Sequence, residues 1–448
     1  MDDSTTVEDS AAKDSAAKDS ATPEPPVELE LDIESLSFGR AAIARHEGRV
    51  VFVEGAAPGD RVRATITATH SGYDEAVVAE VLTAGEARVE PPCPLVEECG
   101  GCPWQHIDYQ AQLEAKRDSL VDCITRIGRI DNPPVAAPDP SPLNLGYRNR
   151  LKLRFAGHRM GFYRASTHRL VPVDDCMLAE PYIRDAMPLV EELVAGMSTQ
   201  ATRVEIVSRG RMAGLVVAIN SRGRLRRSDT ARVREFLDQP GCPVKGVVAW
   251  GKGWKREWGD TRRRWRPVAD GPTIEAPGTT FGQVNTLANE ILVQRVLEAA
   301  GTERKRFILE LYAGAGNLTL PLAPLADQLV AVESDASAAQ ALERSAHRAS
   351  FRHVSAVTAR AEEYLAGGVR QRPDVVVVDP TRSGLGSAAH DIARLKAEKI
   401  VYVSCNPSTL ARDLRVLVDE GYRLEKVQPV DLFPHTFHVE SVCTLRLT

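Results

Sequence analysis

The sequence predicts a multidomain protein: a small N-terminal β-barrel, a central α+β domain, and a C-terminal α/β domain of Rossmann-like type. Three observations predict it. Residues 27–86 alternate apolar and polar side chains between closely spaced turns, as short barrel strands do. After residue 271, apolar runs at 306–311, 328–332, 375–378 and 400–403 alternate with helical stretches. That is the pattern of a parallel sheet covered on both faces. Between them lies a segment that opens on clustered cysteines and continues with strand-like runs dense in arginine. The composition shifts divide the chain into a tail at 1–26, the barrel at 27–88, the central domain at 89–270 and the C-terminal domain at 271–448.

Bulk composition narrows the function classes. In 448 residues, 43% are hydrophobic and 26% charged, an ordinary soluble balance with ample length for a large core. The longest apolar runs fall far short of the ~18–20 residues that cross a bilayer, so no membrane role is expected. The acidic N-terminus has no apolar stretch of the secretory kind. Eight cysteines in so long a chain do not make a disulfide scaffold. The expected compartment is the reducing cytoplasm, where clustered cysteines point to metal or catalysis. The net charge of −5 conceals a division: the first 34 residues carry −9, leaving +4 on the other 414. A mildly basic body is compatible with a nucleic-acid partner.

In chain order, the tail repeats AAKDS within 11–20 and then carries Pro23, Pro25 and Pro26. Such a segment buries too little apolar surface to offset its ordering entropy, and it reads as a disordered acidic extension. In the barrel, Val27, Leu29, Leu31 and Ile33 alternate with Glu28, Glu30, Asp32 and Glu34. Further strands are expected at 49–54, 61–69 and 75–82, with a turn at Ala57-Pro58-Gly59-Asp60. A small antiparallel barrel follows, an architecture that serves either nucleic-acid binding or plain scaffolding. After the cysteine loop at 91–106, Leu113, Leu120, Ile124 and Ile127 define an amphipathic helix over 107–127, closed by a Pro-rich stretch. From 147 to about 267 the pattern is strand-like, as at 150–155, 204–207 and 214–220. Arg148, Arg150, Arg154, Arg159, Arg164, Arg169, Arg262, Arg263, Arg264 and Arg266 form either solvated strand faces or an RNA-binding face.

The C-terminal domain carries the chemistry. Strand FILEL runs into YAGAGNLTL, which puts Gly314 and Gly316 in a strand-to-helix turn where backbone can approach a cofactor. The next strand ends at Glu333, 21 residues after Tyr312, where a carboxylate can bind ribose hydroxyls. An adenosine-containing cofactor fits, with NAD and S-adenosylmethionine both open at this point. Two further strands end at Asp379-Pro380 and at Cys405 before Asn406-Pro407. Ligands of open α/β sheets bind beyond the carboxyl ends of strands, so Gly314, Glu333, Asp379 and Cys405 are expected to line one crevice.

Six motifs, in order, resemble those of the RNA uracil-C5 (5-methyluridine) methyltransferase family, in its branch with a TRAM barrel and an iron–sulfur cluster. They are FGQVN at 281–285, LYAGAGN at 311–317, Glu333, DPTRSG at 379–384, SCNP at 404–407 and FPHTFHVE at 433–440. The resemblance spans about residues 27–448. It implies a class I methyltransferase domain at 271–448, with helix 107–129 packed on it. It also implies that Gln283, Tyr312, Asn317, Glu333 and Asp379 contact S-adenosylmethionine, that Cys405 is the nucleophile, and that Glu440 is the general base. One departure from the family pattern stands out: Thr381 follows Asp379-Pro380 where a second proline is usual, which puts the rigidity of that loop in question. The layout resembles enzymes acting on 23S ribosomal RNA, with tRNA enzymes of the same layout as the alternative and a non-catalytic RNA-binding factor as another. No obligate protein partner is implied.

Uracil C5 is too weak a nucleophile to attack a sulfonium methyl unaided. A thiolate adding at C6 makes it an enolate, and a base must then remove the C5 proton. Cys405 and Glu440 match those two needs, and the uracil must be single-stranded or flipped out. Cys93, Cys99 and Cys102, with Cys176 as the distal fourth, suit either structural zinc or an iron–sulfur cluster. In the family, these four positions hold a [4Fe–4S] cluster. Cys123, Cys242 and Cys443 read as packing, and His435 and His438 as pocket-shaping residues.

Overall fold

The computed structural model describes residues 27–448 apart from 211 and 212; the expected tail at 1–26 lies outside the described residues. Strands β1 (Glu28–Leu36), β2 (Ala41–His46), β3 (Arg49–Glu54), β4 (Arg61–Thr69) and β5 (Tyr73–Thr83) close a barrel in the order β1-β2-β3-β5-β4. The period-two pattern turns Leu31 and Ile33 inward, against Val51, Val53, Val62 and Ala64. The barrel is not wholly antiparallel: β3 runs parallel to β5. Strands alternating in direction cannot close a ring of odd number, so five strands require one parallel pair.

Helix α1 (Tyr109–Arg126) begins on Asp108, whose carboxylate accepts from the N–H groups of Gln110 and Ala111. Its first turns touch the barrel through Ala111 and Ala115. Leu120, Cys123 and Ile124 sit in the core of the C-terminal domain with Leu410, Leu414 and Leu417. Ile127, expected on that buried face, is instead 45% exposed at the helix end.

The central domain holds one sheet of β6 (Arg150–Ala156), β7 (Arg159–Tyr163), β8 (Leu170–Pro172), β9 (Gln200–Ser208), β10 (Leu215–Arg222), β11 (Val244–Gly251) and β12 (Trp254–Gly259). Their order is β12-β11-β10-β9-β6-β7-β8. Helices α2 (Pro181–Ala195) and α3 (Arg227–Asp238) pack on it through Ile183, Met187, Val190, Val233 and Phe236. The strand-like pattern hid both helices. Pro188, a residue that ordinarily stops a helix, lies inside α2, and α3 is polar on most of its surface.

Arg164, Arg169, Arg262, Arg264 and Arg266 are exposed, as solvated faces would have it, but others depart from both expectations. Arg150 and Arg263 are buried. Arg150 donates to the carbonyls of Gly278 (2.7 Å) and Thr280 (2.8 Å), and Arg263 stacks 4.5 Å from the Trp265 ring centroid. Arg262 and Arg264 both bind the Glu275 carboxylate, at 2.6 and 2.7 Å. These side chains join the central domain to the segment leading into the C-terminal sheet. At these positions the arginines serve an internal joint, because a guanidinium can satisfy several carbonyls and a carboxylate at once.

Strands β13 (Arg262–Trp265) and β14 (Ile274–Pro277) form that joint as a hairpin. Then follow α4 (Thr286–Ala300), β15 (Lys305–Leu311), α5 (Thr319–Leu322), β16 (Ala326–Glu333), α6 (Ala336–Arg348), β17 (Val354–Thr358) and α7 (Ala361–Ala366). The chain continues with β18 (Val375–Val378), α8 (Ala388–Arg394), β19 (Lys399–Ser404), α9 (Pro407–Asp419), β20 (Tyr422–Val430) and β21 (Glu440–Leu447). The sheet order is β17-β16-β15-β18-β19-β21-β20. The four expected apolar runs lie on β15, β16, β18 and β19, which run parallel. The sheet is mixed, however: β21 is antiparallel to both β19 and β20. Only the helix-free loop 431–439 joins β20 to β21, and a parallel neighbour needs a longer crossover. Among the described residues no helix is long and apolar enough to cross a membrane.

Candidate active site and cysteine pocket

Glu333, Asp379 and Cys405 stand at the carboxyl ends of β16, β18 and β19, and Tyr312 stands just beyond β15. Parallel register places all four on one edge of the sheet. Glu333 does more there than wait for a ribose. Its Oε2 accepts from the Gly314 N–H at 2.8 Å, and its Oε1 accepts from the Asp335 N–H at 2.7 Å. The carboxylate therefore ties the glycine turn to the start of α6 and keeps lone pairs for a ligand. Tyr312 enters that turn at φ +63°, a left-handed conformation that non-glycine residues adopt at a cost and mainly where the surroundings fix it.

Asn317 exchanges two amide hydrogen bonds with Asn289 of α4, at 2.8 and 3.1 Å, which pins the far end of the turn. Gln283 lies on the segment entering α4. Asn149 donates to its carbonyl at 3.0 Å, and the Asn149 N–H donates to the Val284 carbonyl at 2.8 Å. The central domain thus clamps the stretch that presents Gln283. Asn285 caps α4 through the Ala288 N–H and donates to Ser141 Oγ and the Leu432 carbonyl.

Cys405 and Glu440 meet through strand register. Ser404 of β19 pairs with Ser441 of β21 at the end of the ladder, so Cys405 and Glu440 flank that last pair at the sheet edge, near enough for Glu440 to act on the thiol. Asn406 then caps α9 by accepting from the Ser408 N–H at 3.0 Å, with Pro407 in the first turn. Burial pushes the Cys405 thiol up to about 12, reinforced by Glu440 and Asp379 and opposed by Arg382. Burial likewise holds the Glu440 carboxyl well above its ordinary range, again raised by Asp379 and lowered by Arg382. Burial alone lifts Asp379 to about 7. Asp379 raises both of the others and Glu440 raises Cys405, so their ionisations oppose one another.

Arg382 is the local counter-charge. Its Nη2 donates to His438 Nε2 at 3.2 Å, and burial followed by that guanidinium lowers His438 to about 4. His438 is therefore a neutral acceptor at pH 7. The Arg382 carbonyl accepts from Thr409 Oγ1 (3.1 Å) and Asn406 Nδ2 (3.3 Å), and the Gly384 N–H closes a turn onto the Thr381 carbonyl at 2.9 Å. The loop at Thr381 is thus braced by hydrogen bonds where a second proline would have stiffened it.

Cys93, Cys99, Cys102 and Cys176 come together as lining of one pocket of about 70 Å³, walled by Leu95, Leu151, Phe162 and Leu178. All four are free thiols. Among the described residues, no three His, Cys, Asp or Glu side chains converge tightly enough to hold a single metal ion. Cys123 lies 3.7 Å from Ser408 Oγ, while Cys242 and Cys443 are buried. Sequence reasoning passed over the buried polar set Gln112, Lys116 and Asp431, which ties α1 to the loop before β21. A polar residue at a core position of a helix was the available signal.

Comparison with known proteins bears on the same features. Residues 272–447 match the tRNA (Uracil-5-)-methyltransferase family model, and residues 27–79 match the TRAM domain. A relative described as an uncharacterized RNA methyltransferase of Halalkalibacterium halodurans is 33% identical over 449 residues, covering 94% of this chain and 97% of that protein. A 23S rRNA (uracil(1939)-C(5))-methyltransferase of Aeromonas hydrophila is 33% identical over 430 residues, covering 93% and 96%. The crystal structure of Pyrococcus abyssi tRNA (uracil-54, C5)-methyltransferase, in complex with S-adenosyl-L-homocysteine, superposes with TM-score 0.72 at 25% identity. It covers 93% of this chain and 100% of that one. With a five-stranded N-terminal barrel and strand ends arrayed around one crevice, the chain belongs to the family of S-adenosylmethionine-dependent RNA (uracil-C5)-methyltransferases that carry a TRAM domain.

Proposed function

We propose that the protein methylates C5 of a uracil in 23S ribosomal RNA, with Cys405 as nucleophile and Glu440 as general base. The observation that carries this reading is the register that sets Cys405 and Glu440 on either side of the last β19–β21 pair, with Asp379 and Arg382 beside them. The Cys405 thiolate adds to C6, and the electron pair of the 5,6 double bond moves into an enolate. C5 then takes the methyl group that bound S-adenosylmethionine supplies. Glu440 removes the C5 proton, and the released electron pair restores the double bond while expelling the thiolate from C6. Arg382 lowers both acidic groups and so favours the ionised form of whichever acts. Glu333, Asp379, Tyr312, Asn317 and Gln283 border the crevice for the cofactor. The choice of 23S RNA rests on the 33% identity to enzymes of that name, against 25% for the tRNA enzyme of matching architecture.

We assign the four thiols to a [4Fe–4S] cluster: they line one apolar pocket, and four cysteine thiolates are a donor set such a cluster takes. Cys93, Cys99, Cys102 and Cys176 would hold it, and it would cross-link the cysteine loop to the central domain. Anaerobically purified protein should contain about four irons and matching sulfide per chain. Stoichiometric zinc without sulfide would overturn the assignment.

The reaction itself is tested by what accumulates. Cys405→Ala should neither methylate RNA nor attach to it. Glu440→Gln should add, take the methyl group and stall, leaving a protein–RNA species that survives denaturing electrophoresis and carries the methyl label. Normal turnover by Glu440→Gln, or a covalent species from Cys405→Ala, refutes the two roles. Mapping 5-methyluridine in 23S and transfer RNA of a deletion strain decides the target.

A further inference from the structure

We propose that Gln112 is a positioning residue for the general base: it fixes the loop 431–439 from which Glu440 emerges. The proposal rests on the reading of Glu440 as base. From its own domain that loop takes the side-chain bonds of Asn285 to the Leu432 carbonyl and of Arg382 to His438, and it buries Leu432 and Val439 in the domain core. The other side-chain anchors come from far upstream. Lys116 Nζ donates to Asp431 Oδ1 (2.7 Å) and to the Phe433 carbonyl (3.1 Å), and the Tyr109 hydroxyl donates to Asp431 Oδ2 (2.9 Å). Tyr147 donates to the Pro434 carbonyl at 3.2 Å, and the Phe437 ring stands edge-on to Phe38 at 5.7 Å.

Gln112 differs from these because it grips both partners of a junction. Its Oε1 accepts from the His435 N–H at 2.7 Å, and its Nε2 reaches His435 Nδ1 at 3.3 Å. The same Nε2 donates to the carbonyls of Ile107 (2.9 Å) and Trp104 (3.1 Å), at the end of the cysteine loop. The Trp104 N–H completes the junction by donating to the His435 carbonyl at 3.1 Å. The Gln112 side chain is fully buried, so water cannot replace these bonds. His435 sits at φ +68°, a conformation a histidine keeps only where its surroundings impose it.

The pairing of β20 with β21, which ends on Val430 opposite Glu440, already specifies the sheet. What the His435 junction adds is the course of the chain between His435 and Glu440, and so the aim of the carboxylate. Proton abstraction tolerates little error, since a misplacement of about 1 Å can cost about a hundredfold in rate. Addition and methyl transfer depend on Cys405, which this junction does not touch.

The test is single-turnover kinetics with methyl-labelled S-adenosylmethionine and substrate RNA, on the full chain. Gln112→Met should keep the cofactor dissociation constant and the first methyl transfer within about twofold, while release of free RNA slows at least about tenfold and the labelled covalent species builds up. Tyr147→Phe removes one hydrogen bond to the neighbouring Pro434 and keeps the ring; it should show the same stall more weakly, and it decides the matter if Gln112→Met fails to fold. Equal losses in cofactor binding, methyl transfer and release would mean a merely structural role and overturn the proposal. A stall in Glu440→Gln without one in Gln112→Met or Tyr147→Phe overturns it while leaving the base reading intact. No stall in Glu440→Gln overturns the base reading itself.

Discussion

Cys405 and Glu440 flank the last residue pair of one strand ladder, yet they are held in unlike ways. The surroundings of Cys405 are local in sequence. Asn406 caps α9, Ser404 Oγ accepts from the Asn406 N–H at 3.2 Å, and Tyr402 donates to Asp413 at 2.8 Å. Glu440 instead follows a loop anchored by Tyr109, Gln112, Lys116 and Tyr147, some 300 residues earlier. The nucleophile is the property of a strand-to-helix turn. The base is the property of a tertiary junction. A short motif sets the hydrogen bonds of the first, whereas those of the second come from the cysteine loop, α1 and Tyr147.

The largest expected effect comes from breaking the tertiary side. Lys116 and Asp431 form an ion pair with both side chains fully buried. Removing one partner strands the other, which costs about 3–5 kcal/mol in such settings. Lys116→Met should therefore lower the thermal midpoint by several degrees in calorimetry. An unchanged midpoint would mean that the loop 431–439 does not depend on α1.

This contrast also explains what the sequence could disclose. Strand ends at Glu333, Asp379 and Cys405 were legible because apolar runs and the turns after them are contiguous, and the sheet edge follows from their order. The barrel strands were legible for the same reason, through alternation. The parallel β3–β5 pair was not, since it arises from closing an odd ring. Helices α2 and α3 were masked by an internal proline and by polarity. That Arg150 and Arg263 are inside while Arg164, Arg169 and Arg266 are exposed was not legible, because composition carries no burial. Gln112 and His435 lie 323 positions apart, and no local pattern pairs them.

The coupling between the two sides should appear in the pH dependence. The Cys405 thiol is raised to about 12, first by burial and then by Glu440 and Asp379, and only its thiolate adds to uracil. Glu440 is raised as well, and only its carboxylate takes a proton. Raising the pH favours the ionised form of both, and thiolate addition in particular should accelerate from pH 6 to 8, by up to about tenfold per unit. The Arg382 guanidinium lowers both groups, so Arg382→Ala should move the profile to higher pH and slow the reaction at neutrality. A shift toward lower pH would break the assignment of Arg382 as their shared counter-charge.

The smallest effect tests the local side alone. Asn406 holds α9 by accepting from the Ser408 N–H and steadies the neighbouring loop by donating to the Arg382 carbonyl. Losing an N-cap costs about 1 kcal/mol, so Asn406→Ala should lower stability only slightly. Cys405 precedes the cap directly, and loosening the first turn of α9 lets the thiol drift from its line to C6. Covalent addition should slow several-fold, while release of methylated RNA from the adduct keeps its rate, because the Gln112 junction is untouched. Asn406→Asp preserves the capping oxygen but not the donor to Arg382, and it should recover most of the stability. A several-fold loss confined to release in Asn406→Ala would show that the two sides are not separately held.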